Sequence, residues 1–221
     1  MLRIAVMGLG NFGYFFARHL SRQRVEILAL DIDKAAVDRA GAFVTEAIVG
    51  DVTDRSLLEE LEIGSVDYAV ISLGDEHMDP SVLATLHARA LGVPNIYVKA
   101  VSDDHAQILD LIGATKVIHP EREVAESLAE TLGKPNVLDF IPLGEDYSII
   151  EFEPSSVLVG RTLADVDFRN RYGITVIGIK EYLTSTRRMN PPAETVIGDD
   201  VSLLILGRMD QIEKLQKDAG R

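Results

Sequence analysis

A chain of 221 residues, 47% hydrophobic and 26% charged, carries enough apolar side chain for one good core or two modest ones. It has no cysteine, which excludes a disulfide scaffold, a thiolate zinc site and a cysteine nucleophile. Its formal net charge of −13 repels phosphate backbones and anionic lipid and argues against a nucleic-acid partner.

The apolar run after Arg3 is too short for a secretory signal and is interrupted by Asn11, Arg18 and the glycines. No apolar stretch approaches a bilayer span, so the expected location is the cytoplasm. Leu2–Val6 is expected as a strand, Asn11–Arg22 as a helix, Val25–Leu30 as a strand, Asp33–Ala40 as a helix and Ala42–Val49 as another strand. Thr53 is placed to cap a helix running to Leu61. Tyr68–Ser72 reads as a buried strand. Asp79–Leu91 reads as a helix with Asp79 at the N-cap, Pro80 at the first helical position and Gly92 as its stop. Ile96–Val101 and Lys116–Ile118 complete the strands, with a helix across Asp104–Ile112 between them. This alternation predicts a Rossmann-type, doubly wound parallel sheet.

Val124, Ala125, Leu128, Ala129 and Leu132 then recur at helical spacing over Glu121–Leu132, and Gly133-Lys134-Pro135-Asn136 reads as a linker. Strands are expected at Ser148–Phe152, Ile174–Ile179 and Val201–Leu206, with a short helix near Leu163–Phe168 and a closing helix from Asp210. One-for-one alternation has ended here. The fold class is therefore α/β: a Rossmann domain over 1–136, crossover helix included, followed by a small α+β domain over 137–221, its strands and helices beginning from about Phe140.

Gly8-Leu9-Gly10-Asn11-Phe12-Gly13 lies between the first strand and the first helix. Gly8 permits the tight turn, Gly10 lets backbone approach a pyrophosphate, and Gly13 allows close helix–strand packing. The helix N-terminus adds free N–H groups and a favourable dipole for phosphate. Asp31 ends the second strand, where a carboxylate hydrogen-bonds a ribose diol and repels a 2′-phosphate, which disfavours NADPH. Gly50-Asp51 follows the third strand, where such folds approach the adenine, although aspartate also begins turns. The bland alternative is a Rossmann scaffold that has lost its ligand.

Catalytic groups are harder to find. The chain has no Tyr-xxx-Lys pair, H-E-x-x-H, G-x-S-x-G or Walker phosphate loop. Of His19, His77, His87, His105 and His119, only His77, in the loop after the fourth strand, stands as a candidate acid/base. A nucleotide site without catalytic groups points to a sensor and not to an enzyme. The alternative is an NAD(H)-dependent oxidoreductase, with Asp31 selecting NAD and His77 as acid/base, or an NADH redox sensor.

These features combine with Val93-Pro94-Asn95-Ile96-Tyr97-Val98-Lys99-Ala100, Ile112-Gly113-Ala114, Val117-Ile118-His119-Pro120-Glu121, Tyr172-Gly173-Ile174 and Gly198-Asp199-Asp200. Together they resemble the regulator-of-potassium-conductance (RCK) proteins of the KtrA/TrkA type, in the single-copy KtrA arrangement. The resemblance implies a cytosolic gating subunit of a potassium uptake channel, switched by ATP against ADP. It also implies dimers assembled into an octameric ring at the inner face of the cell membrane, beneath a subunit of KtrB/TrkH type. By match, the loop Gly8, Gly10, Asn11, Phe12 and Gly13 holds phosphates and Asp31 the ribose. Ile32, Asp33, Gly50, Asp51 and Val52 lie near the adenosine, and Lys99 at the mouth of the site. Glu121 falls where the family places a carboxylate for a cation, Mg2+ or Ca2+, at a subunit interface; its alternative is a first-turn acid favoured by the helix dipole. Some members bind cyclic di-AMP in the C-terminal domain. Arg169 matches a phosphate-contacting arginine there and Pro191 a residue near the adenine, although Asn190-Pro191-Pro192 is also a turn signal. One departure stands out. The best-known members carry an arginine where this chain has Asn11, and an amide offers no charge-assisted bond to a γ-phosphate. Arg18 is a substitute on the same helix, or simply part of its solvated face.

Overall fold

The computed structural model describes residues 1–74, 78–133, 137–144, 146–184 and 186–219. The candidate acid/base His77 and the linker residues Lys134, Pro135 and Asn136 lie outside the described residues. The chain divides into two compact units, Met1–Pro120 and Glu121–Arg221.

In the first unit the strands are β1 (Leu2–Met7), β2 (Val25–Asp31), β3 (Glu46–Val49), β4 (Tyr68–Ile71), β5 (Asn95–Lys99) and β6 (Lys116–Ile118). They form one parallel sheet in the order β3-β2-β1-β4-β5-β6. Between them run α1 (Asn11–Leu20), α2 (Lys34–Ala40), α3 (Arg55–Glu60), α4 (Met78–Ala90) and α5 (Asp103–Ile112). Right-handed crossovers put α1 and α2 on one face, and α3, α4 and α5 on the other. Strand β1 is apolar on both sides because both are covered: Ile4 and Val6 pack beneath Ala17, Ala36 and Val37, while Ala5 and Met7 join Leu58, Ala84 and Leu109. The chain reverses its direction of travel across the sheet between β1 and β4. That switch leaves a crevice at the carboxyl ends of the strands.

Three departures from expectation have a local cause. The third strand starts at Glu46, not Ala42, because Phe43 and Val44 fold into a turn that packs on the α1–α2 side. Helix α3 is capped by Asp54, whose carboxylate accepts Ser56 N at 2.9 Å, while Thr53 is used by Asp51. Helix α4 begins at Met78, which moves Asp79 from the expected N-cap into the first turn.

The second unit holds α6 (Pro120–Leu132, its first residue closing the first unit), β7 (Val137–Leu143), β8 (Tyr147–Phe152), α7 (Leu163–Val166) and α8 (Phe168–Tyr172). These are followed by β9 (Thr175–Glu181), β10 (Arg187–Met189), β11 (Val201–Arg208) and α9 (Met209–Ala219). Its sheet is antiparallel, in the order β10-β9-β11-β8-β7, and buries Ile150, Phe152, Leu203 and Ile205 against Val166, Phe168, Ile212 and Leu215. The single short helix expected near Leu163–Phe168 is two helices, because Asp167 adopts φ 53° and turns the chain between them. Among the described residues no helix is long and apolar enough to cross a membrane.

One charge is buried in this sheet. Glu151 on β8, 5% exposed, accepts Lys180 Nζ at 2.8 and 3.0 Å and Ser202 Oγ at 2.7 Å. Burial pushes its carboxyl up, but those bonds and the charges of Lys180 and Arg187 outweigh it and hold the pKa below glutamate's ordinary value. Lys180→Met leaves the carboxylate without its cation and is expected to cost the second unit about 2–3 kcal/mol. The check is the urea midpoint at neutral pH. Because the folded pKa is depressed, the stabilisation is present above the ordinary value and lost as pH falls through the folded one. The gap between variant and wild type should therefore narrow in acid. Equal midpoints at neutral pH would rule the pairing out as a source of stability.

Candidate nucleotide-binding site

A cavity of about 530 Å³ opens at the carboxyl ends of β1 to β4. Its floor is the loop of Gly8, Leu9 and Gly10; one side is Asp31, Ile32 and Asp33 with Ala36 and Arg39 of α2. Gly50, Asp51, Val52 and Thr53 form another wall, and Ser72, Leu73, Gly74 and Pro80 close the β4–α4 side.

The three fingerprint glycines have different reasons to be glycine. Gly8 sits at φ 95°, and a Cβ there would lie 2.2 Å from Ser72 O. A Cβ on Gly13 would lie 1.9 Å from Gly8 O, so the close approach of α1 to the loop requires its absence. Gly10 is the N-cap of α1 at φ −62°, a conformation open to any residue, and a Cβ there would meet nothing within 4 Å. The fold does not need Gly10. The open space above it, at a helix end with no side-chain cap, leaves first-turn amides available to an anion.

Asp31 holds the loop in place. Its Oδ2 accepts Leu9 N at 2.5 Å and its Oδ1 accepts Asp33 N at 2.8 Å, so one carboxylate ties the fingerprint loop to the turn opening α2. Asp33 caps α2 by accepting Ala35 N at 2.9 Å. Asp51 accepts Thr53 N at 2.8 Å and Thr53 Oγ1 at 2.7 Å, and those two bonds hold its carboxyl below the ordinary range. Among the described lining residues these three carboxylates face one cation, Arg39, whose guanidinium lies 6.0 Å from the centre of the Tyr14 ring.

Of the residues singled out from sequence, Gly8, Gly10, Asp31, Ile32, Asp33, Gly50, Asp51 and Val52 meet in this cavity. Each of the others has its own surroundings. Asn11 is exposed at the start of α1, Phe12 packs parallel to Phe16 at 6.0 Å between ring centres, and Gly13 serves the packing beneath the loop. Arg18 is exposed on α1 and does not line the cavity. Lys99 is 8% exposed at the end of β5. Glu121 is exposed on α6, Arg169 exposed on α8, and Pro191 half-buried in the turn after β10. Among the described residues no group of three or more His, Asp or Glu side chains is gathered as a metal site. Arg39, Thr53, the run Ser72-Leu73-Gly74 and Pro80 are lining residues that sequence reasoning missed. The one available signal was that small residues follow a buried strand at the β1/β4 switch.

Glycine-rich turn, ribose-position acid and open helix end together define a Rossmann domain with a nucleotide-sized cleft, followed by a small antiparallel-sheet domain. Residues 4–120 match the TrkA-N domain and residues 147–220 the TrkA-C domain. The chain belongs to the family that joins these two domains. It is 38% identical over 216 residues to Ktr system potassium uptake protein C of Bacillus subtilis (strain 168), covering 96% of this chain and 95% of that one. It is 32% identical to Ktr system potassium uptake protein A of the same organism, covering 98% and 96%. Among solved structures, the GsuK channel bound to NAD superposes with a TM-score of 0.70 at 19% identity; it covers all of this chain, which spans 40% of that one. That likeness is one of fold.

Proposed function

We propose that this chain is a regulatory subunit of a potassium uptake system, holding a nucleotide in the cavity above Gly10 and working through a membrane ion-translocating partner of the KtrB/TrkH type. The observation that carries the reading is end-to-end similarity, 38% identity over 96% of the chain, to a Ktr system potassium uptake protein. The switch in this reading is ATP against ADP. A nucleotide biases a conformational equilibrium only through unequal affinity for its states, and the γ-phosphate with a cation on Glu121 is a source of that inequality. The functional domains are 1–136, with α6 as crossover helix, and 137–221 as a dimerising ligand module; there Arg169 and Pro191 would meet cyclic di-AMP. The assembly is a ring of dimers, octameric in number, on the cytosolic face of the membrane. A second reading takes NAD(H) as the ligand: Asp31 suits the unphosphorylated ribose diol that NAD(H) shares with ATP and ADP, and disfavours NADP(H).

Calorimetric titration with ATP, ADP, NAD and NADH, with and without Mg2+ or Ca2+, separates the two. ATP and ADP are expected to bind, with ATP strengthened by the cation. Glu121→Gln is expected to leave ADP affinity nearly intact and to remove most of the cation's effect on ATP. Equal loss for both nucleotides would end the cation role, and exclusive binding of NAD or NADH would replace the ATP/ADP switch with a redox one.

A further inference from the structure

His105, on the first turn of α5, is 1% exposed and faces Ser81 on α4. Its Nε2 lies 2.7 Å from Ser81 Oγ, and its Nδ1 accepts Val101 N at 3.3 Å. Since Nδ1 accepts, the ring proton is on Nε2 and is donated to Ser81. The Ser81 proton then goes to Met78 O at 2.9 Å, and Thr85 Oγ1 donates to Ser81 O at 2.7 Å. The N-cap Ser102 accepts His105 N at 3.1 Å and fixes the histidine's own backbone. Donors and acceptors match for the neutral ring in this tautomer. An imidazolium would present N–H to the Val101 N–H and bury a charge.

The turn held in this way borders the cavity, because Pro80, which lines it, immediately precedes Ser81. We propose that His105 is a positioning residue for the nucleotide cavity: the neutral imidazole, acting through Ser81, fixes the first turn of α4 as the cavity wall, and protonation releases it. The proposal rests on the cavity being a nucleotide site. The ionisable groups on the elements around the ring are Asp79, His87 and Arg89 on α4, Asp103, Asp104 and Asp110 on α5, Lys99 at the end of β5, and Lys116 on β6 with His119 after it. Burial first, and repulsion by His119 second, push His105 below the ordinary histidine value. With the folded pKa below the unfolded one, the wall is held above roughly pH 6.5 and released as pH falls through the lower, folded value.

The test is calorimetric titration of the full chain with ADP between about pH 7.5 and pH 5.5, on wild type, His105→Gln and Ser81→Ala. Comparing variants with wild type at each pH cancels the titration of ADP's own phosphate. Wild-type affinity is expected to fall about threefold more across this range than that of His105→Gln, whose amide donates to Ser81 but does not titrate. Ser81→Ala is expected to bind about fivefold more weakly at the upper pH and to lose most of the excess pH dependence. A His105→Gln profile parallel to the wild type's, or Ser81→Ala matching the wild type throughout, overturns the proposal. If His105→Gln does not fold, Ser81→Ala decides alone. Failure of ADP to bind wild-type protein at any pH overturns the ATP/ADP reading on which the proposal rests, a result distinct from the others.

Discussion

Gly13→Ala is expected to leave the N-terminal unit at least about 3 kcal/mol less stable, or unfolded, with nucleotide binding lost as a consequence. The added methyl would stand 1.9 Å from the Gly8 carbonyl oxygen, a backbone atom of a turn already packed so closely on Ser72 that a Cβ on Gly8 would lie 2.2 Å from Ser72 O. Helix α1 would have to lift from the loop and expose part of the packing of Ala17 and Phe12. The same substitution three residues earlier should behave in the opposite way. Gly10→Ala puts its methyl into open space at an ordinary φ, and alanine is the poorer N-cap by only about 0.5 kcal/mol. That methyl, however, occupies the approach to the first-turn amides, so ADP affinity should fall at least about tenfold. Urea melts and ADP titrations on the two variants check both halves. ADP binding by Gly10→Ala at wild-type strength would mean that no phosphate sits above this loop.

The second large effect belongs to Asp31. A carboxylate that served only a ribose would be dispensable without ligand, but here both oxygens accept backbone N–H groups, from Leu9 and from Asp33. Asp31→Ala leaves both donors without an acceptor and is expected to destabilise the ligand-free protein by about 2 kcal/mol. Asp31→Asn is the sharper variant. Its amide has one oxygen, so one N–H is satisfied while the amide nitrogen faces the other. Ligand-free stability should then lie close to that of Asp31→Ala, and nucleotide affinity should fall about a hundredfold in both, from the lost ribose partner and the loosened loop. Thermal unfolding without nucleotide is the decisive measurement. A wild-type midpoint for Asp31→Asn would reduce Asp31 to a ligand contact alone.

The parallel sheet was legible because its four central strands are largely buried apolar runs punctuated by a helix start or stop; Ile27–Leu30 and Ala69–Ile71 leave little choice. The second unit was read less well. Strand β7 went unseen because Pro142 demotes the run Val137–Leu143, yet proline is tolerated at a sheet edge, which is where β7 lies. Strand β10 is three exposed residues, Arg187–Met189, with no apolar alternation to find. Ala42–Val49 looked like one strand because Phe43 and Val44 are apolar; they are half-buried against the α1–α2 side, which local pattern does not encode. In the cavity, the glycines and Asp31 were readable because their roles are local to one strand–turn–helix unit. Arg39 was not, since only the packing of α2 brings it to the lining, and Pro80 arrives from the other side of the sheet's switch point. The difference between Gly10 and Gly13 was also invisible in the motif, where both are simply glycine.

The bridge that Asp31 makes between the fingerprint loop and the opening of α2 is built from the chain's own groups alone. The entropy of ordering that loop is thus lost once, during folding, and is not lost again on each encounter. On the proposed reading, a nucleotide meeting such a socket finds its fingerprint loop already ordered. Arrival is then governed by diffusion and orientation, and the distinction between competing nucleotides falls on their residence times. Exchange of one for another would proceed as fast as the outgoing molecule leaves, which suits a device that follows changing concentrations and does not store a past state.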